Sequence, residues 1–74
     1  MSIKNKAISE LTNYSCHLKD AIIVIMYGNM KEVLIEELAN VEMAIDAIKF
    51  DVLSIKDIVY VTKSYTGKDI QWTP

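Results

Sequence analysis

Glu10 and Asn13 stand three residues apart in Glu10-Leu11-Thr12-Asn13, and the same spacing recurs in Glu37-Leu38-Ala39-Asn40. Each tetrad lies in a stretch whose apolar residues repeat at helical intervals. Residues three apart share a helical face, so two packed helices carrying these tetrads would direct two carboxylates and two amides into one space. Carboxylate and amide oxygens are ligands for hard cations such as Mg²⁺. Were both Asn residues acidic, four facing carboxylates would need such a cation to offset their repulsion. His17, one turn after Asn13, could hydrogen-bond to the same cluster or, when charged, hold a phosphate; an ordinary partly buried histidine is the alternative.

A plainer reading stands beside this one. Glu and Asn on amphipathic helices are commonly solvated boundary residues, and Glu36, Glu37 and Glu42 could form an exposed face with Lys31 and Lys49 near them in sequence. Placement favours a site. Glu10 falls between Ala7 and Tyr14 on an apolar stripe, and Glu37 falls between Val33 or Leu34 and Val41. A carboxylate on a stripe that should be buried needs a reason to be there.

Three helices account best for the patterning. In the first, Ile3, Ala7, Leu11, Tyr14, Leu18, Ala21, Ile22 and Ile25 form one stripe, and Gly28 ends the segment. Asn29 is then expected to cap a second helix, with Glu32 completing a capping box. That helix runs to about Phe50 on a stripe of Met30, Val33, Leu34, Leu38, Val41, Ile45 and Ile48. After a break over 50–53, Ser54 caps a third helix with Asp57 at its third position, Ile55, Ile58, Val59, Thr62 and Tyr65 line its buried face, and Gly67 stops it. Residues 21–27 and 57–62 are rich in β-branched and aromatic side chains, so strands remain an alternative at both places. The expected architecture is all-α: an antiparallel helical hairpin with a short third helix, in one domain over 1–67 followed by a C-terminal tail over 68–74.

Composition bounds the function. A chain of 74 residues with 51% hydrophobic side chains carries more apolar surface than one small monomer readily hides. Self-association as a homodimer or homotetramer, building an oligomeric helical bundle, is the simplest remedy. Eight basic residues, all Lys, against ten acidic ones give a net charge of −2, and without a basic cluster or an arginine fork, direct nucleic-acid binding is not expected. The longest apolar run, Ala21 to Tyr27, is far shorter than the roughly 20 residues that cross a bilayer. The N-terminus carries charges early and lacks a cleavable apolar core, so a cytoplasmic protein is expected. Cys16, the single cysteine, excludes an internal disulfide and is expected to be a small buried hydrophobe. The methionines and Tyr14, Tyr27, Tyr60 and Tyr65 read as core or interface residues, and Trp72 as a packing anchor. Trp72, Tyr60 and Tyr65 are the candidate interaction residues.

With these helices placed, Lys6-Ala7-Ile8-Ser9-Glu10-Leu11, a turn, and Leu34-Ile35-Glu36-Glu37-Leu38-Ala39-Asn40-Val41-Glu42 resemble the small phage-type MazG-like all-α nucleoside triphosphate pyrophosphohydrolases. The resemblance spans most of residues 6–58 and is closest over Ile35 to Ile48. It implies that Ser9, Glu10, Asn13, Glu37 and Asn40 stand where that family carries acidic residues that hold Mg²⁺, bind the triphosphate and help activate the attacking water. Ser9, Asn13 and Asn40 depart from the pattern. Neutral amides can donate a lone pair, yet they neither offset the cation's charge nor act as a base.

These departures lead to an expectation of binding over catalysis, with no catalytic residue assigned. Glu10, Asn13, Glu37 and Asn40, with His17, are the candidate metal or nucleotide site, and Mg²⁺ is expected only if that acidic remnant works. The expected protein is a phage or mobile-element encoded inhibitor or regulator that binds a host protein, or else a nucleotide. An active Mg²⁺-dependent pyrophosphohydrolase, with Glu36 or Glu42 replacing the missing ligands, is the alternative. A small helical adaptor unrelated to the family is a further one.

Overall fold

The computed structural model describes residues 2–25 and 28–70. Three helices follow one another: α1 over Ile3–Val24, α2 over Asn29–Lys49 and α3 over Ile55–Thr66. Among the described residues there is no strand. Residues 21–24 and 57–62, where strands were an alternative, are helical; Met26 and Tyr27 lie outside the described residues.

Local chemistry sets most of the boundaries. Ser2 caps α1 by accepting the Asn5 N–H at 3.1 Å, and Ser54 caps α3 by accepting the Asp57 N–H at 3.2 Å. Gly67 closes α3 in the left-handed region, with φ 73°, and its N–H donates to the Lys63 carbonyl. The first turn of α2 differs from expectation. Gly28, not Asn29, occupies the cap position, and no side chain caps the helix. Helix α1 already stops at Val24, and the backbone of Gly28, at φ 103° and ψ 176°, starts α2 one residue earlier than a side-chain cap would. That conformation is accessible to glycine and strained for other residues.

One core holds the helices together. Ala7, Leu11 and Leu18 of α1, Val41, Ile45 and Ile48 of α2, and Ile58 of α3 are buried in a single cluster with Ile3 and Ile70. Thr62 is fully buried as well, and its hydroxyl donates to the Ile58 carbonyl at 2.8 Å, which removes the cost of an unpaired polar group. Helix α1 is the hub, packing on both α2 and α3, which touch each other little.

The helices differ in length, and this shapes the molecule. At 1.5 Å per residue α1 is about 33 Å long and α3 only about 18 Å. Pairing of Lys4 with Asp51 fixes one end of α3 beside the start of α1, and the Tyr14 and Tyr65 rings meet near its other end, 6.4 Å apart. Helix α3 therefore covers the half of the hairpin nearest the α1 N-terminus and leaves the distal half uncovered. The consequence is exposure of Met30 and Val33, placed on the buried stripe by their periodicity. Ile55, in the first turn of α3, is exposed too.

Helical phase corrects two further expectations. Cys16 is exposed, because Ser15 takes the inward position and satisfies its hydroxyl on the Thr12 carbonyl at 2.7 Å. His17, whose plainer reading was an ordinary partly buried histidine, is exposed one step further round the helix. No helix among the described residues is long and apolar enough to cross a membrane.

Candidate functional site

The two tetrads sit on the side of the hairpin that α3 partly covers. Glu10 is half-buried, and its carboxylate forms an ion pair with the Lys68 ammonium at 3.1 Å. One turn on, the Tyr14 hydroxyl donates to Glu37 across the hairpin at 2.6 Å. Glu10, Asn13, Tyr14 and His17 of α1 thus meet Thr66 and Lys68 around one recess of about 220 Å³. Asn13, His17 and Asn40 are exposed, and Glu37 is half-buried.

The tetrads are therefore brought close without merging. Glu37 reaches α1 through Tyr14, while Glu10 turns to the segment after α3. Lys68 is delivered by the Gly67 turn. The Thr66 hydroxyl, donating to the Thr62 carbonyl at 2.6 Å, accepts the Lys68 N–H at 3.1 Å and fixes that exit. Burial of Ile70 in the core and an ion pair of Lys63 with Asp69 at 3.2 Å hold the rest of the segment down. Lys68, read in the sequence as the first residue of a tail, hence lines the recess, and Ile70 joins the core.

Electrostatics follow from these partners. The hydrogen bond to Glu37, then burial, then the negative potential of Glu37 and the neighbouring Tyr65 push the Tyr14 hydroxyl from its ordinary 10.0 up to about 12. At neutral pH Tyr14 is thus a firm donor that holds the Glu37 carboxylate in place.

These groups do not fit a Mg²⁺ centre. Such a cation takes oxygens in near-octahedral array at about 2.1 Å. Here an ammonium sits on the Glu10 carboxylate and a phenol on that of Glu37. No group of three or more His, Cys, Asp or Glu is placed to hold a metal ion among the described residues. What the recess offers instead is a mixed polar surface: an ammonium and a carboxylate in contact, an amide and an imidazole.

Sequence reasoning missed three lining residues, Tyr14, Thr66 and above all Lys68. The separation of Lys68 from Glu10 by nearly the whole chain left no local signal, although Gly67 did mark where the direction would change. Of the candidate interaction residues, Tyr60 is 71% exposed while Tyr65 is half-buried against Tyr14. Five residues apart on one helix, they point roughly 140° away from each other. Trp72 lies outside the described residues. The chain matches no model of a known family, no curated protein and no solved structure.

Proposed function

We propose that this chain is a small, catalytically impaired MazG-like helical protein that acts by binding, assembled as a homo-oligomer. The observation that carries the reading is the engagement of both tetrad carboxylates by neighbours in the same chain, Glu10 by Lys68 and Glu37 by Tyr14. A metal-dependent hydrolase needs those charges for its cation and for activating water. Here they serve the fold. Uncovered apolar side chains on the distal hairpin support association as the mode of action. The resemblance to the MazG-like family rests on the residues of α1 and α2 alone.

The target is a host protein engaged as by an inhibitor or regulator, with a nucleotide in the polar recess as the second reading. The second reading draws on the placement of Lys68, Asn13 and His17 around that recess. Isothermal titration with Mg²⁺ and a nucleotide panel, beside capture of partners from a bacterial lysate, separates them. Expected is no heat with Mg²⁺ alone and no release of pyrophosphate. Turnover of any nucleoside triphosphate at ordinary enzymatic rates, abolished in Glu10→Gln or Glu37→Gln, would restore the hydrolase reading.

A further inference from the structure

The recess beside the exit of α3 carries two opposite charges side by side on its wall. The Lys68 ammonium and the Glu10 carboxylate are 3.1 Å apart, and both line the recess with Asn13 and His17. The two side chains are 67% and 28% exposed, so each keeps hydrogen-bonding capacity toward the opening. A carboxylate accepts at two oxygens and an ammonium donates three protons, more than one contact uses. Charge limits what such a wall can take. Behind Tyr14, the Glu37 carboxylate adds a second negative charge against the one ammonium that lines the recess among the described residues. A polyanion finds no net attraction there. Size points the same way: at about 220 Å³ the recess is smaller than the roughly 300–1,000 Å³ that takes a drug-sized ligand.

We infer that this recess binds a small zwitterion, a free α-amino acid, alongside the pair of Glu10 and Lys68. An α-amino acid carries its ammonium and carboxylate on one carbon, and standard bond lengths place the nitrogen roughly 3 Å from the nearer carboxylate oxygen. That spacing matches the 3.1 Å of the pair. Laid antiparallel, the ligand's ammonium meets Glu10 and its carboxylate meets Lys68, which closes a ring of four alternating charges and leaves the internal pair formed. Each new contact is a charge-assisted hydrogen bond. A ligand with a single charge gains only one of them and sets that charge beside its like. Asn13, one turn on from Glu10, has an amide that can donate to the carboxylate or accept from the ammonium. The Tyr14 ring and the His17 imidazole remain for the ligand's side chain. The inference rests on the reading of the chain as a binding protein and gives the recess a ligand other than a nucleotide. It is independent of self-association and of the family resemblance.

Two-dimensional amide NMR on the chain, titrated with L-alanine, L-glutamine, propionate, ethylammonium and metal-free ATP, tests this. Propionate and ethylammonium are alanine without its ammonium and without its carboxylate. Expected are saturating shifts at the amides of Asn13, His17 and Lys68 with both amino acids at millimolar concentration, and binding at least tenfold weaker for either half-molecule. That comparison uses the wild-type chain, so it does not depend on how a variant folds. Glu10→Gln and Lys68→Gln should each weaken alanine binding at least tenfold, while Lys56→Gln, an exposed position at the far end of α3, should leave it unchanged. Propionate or ethylammonium binding as tightly as alanine, or alanine binding that survives both Glu10→Gln and Lys68→Gln, would overturn the inference. Shifts at these amides with ATP alone would overturn it in favour of the nucleotide reading. Shifts with none of the five would overturn it and leave the host-protein reading standing.

Discussion

The Tyr14 hydroxyl donates a 2.6 Å hydrogen bond to the Glu37 carboxylate, tying the middle of α1 to the middle of α2. It sits where α3 ends and the uncovered half of the hairpin begins. Its neighbourhood is half-buried, so it is stronger than a surface contact and weaker than one in a dry core. The pair turns a tetrad acid from a candidate ligand into a structural acceptor.

Removing the donor should therefore cost stability. Tyr14→Phe leaves the ring against Tyr65 and strips the charge-assisted bond, for a loss of about 1–2 kcal/mol. In a domain of this size each kcal/mol lowers Tm by about 4–8 °C. Glu37→Gln, which keeps an acceptor oxygen, should cost less. Thermal unfolding followed by circular dichroism checks the order of the two; equal Tm values for wild type and Tyr14→Phe would contradict it.

The same bond sets a pH dependence at the alkaline end. Because the folded-state value of Tyr14, about 12, lies above the ordinary 10.0, folding favours the protonated phenol. The stabilisation is complete below about pH 10 and is lost as pH rises through about 12. Tyrosinate absorbance in the ultraviolet should show a late-titrating phenol in the wild type that is lost in Tyr14→Phe, whose stability should also fall less steeply over that range.

For the segment after α3, apolar burial should outweigh the ion pair. Lys68 and Glu10 are 67% and 28% exposed, and such partly solvated pairs contribute under about 1 kcal/mol. Ile70 is buried in the common core, where truncation to Ala costs about 2–4 kcal/mol. Urea midpoints should accordingly drop far more for Ile70→Ala than for Lys68→Ala. The reverse order would mean that the bridge, not the isoleucine, anchors the segment.

Two glycines should be costly to replace for backbone reasons alone. A Cβ added at Gly28 or Gly67 would meet no atom within 4 Å, but both residues have positive φ. At φ 73° Gly67→Ala costs about 1 kcal/mol. Gly28, at φ 103° and ψ 176°, lies in a region nearly closed to other residues, so Gly28→Ala should cost about 1–3 kcal/mol. Chemical denaturation of the two variants should rank Gly28→Ala as the more damaging.

What the sequence by itself determined is the local part of this protein. Ser54 with Asp57, and Gly67 after the last apolar position, mark α3 because caps and left-handed turns are satisfied within a few residues. The stripe Ala7, Leu11, Leu18 and its counterpart Val41, Ile45, Ile48 are legible because burial must recur at the helical period. Cys16 and Asn29 were misplaced because each outcome turned on one residue of phase, and phase at a helix end depends on what the neighbouring elements press against. Only the tertiary structure decided that α3 stops halfway along the hairpin, leaving Met30 and Val33 outside. It alone joined Glu10 to Lys68 and Glu37 to Tyr14. Periodicity says which face of a helix is apolar, but the length of the helix packed against it decides how much of that face is covered. The partner that a carboxylate finds depends on groups brought together from distant parts of the chain.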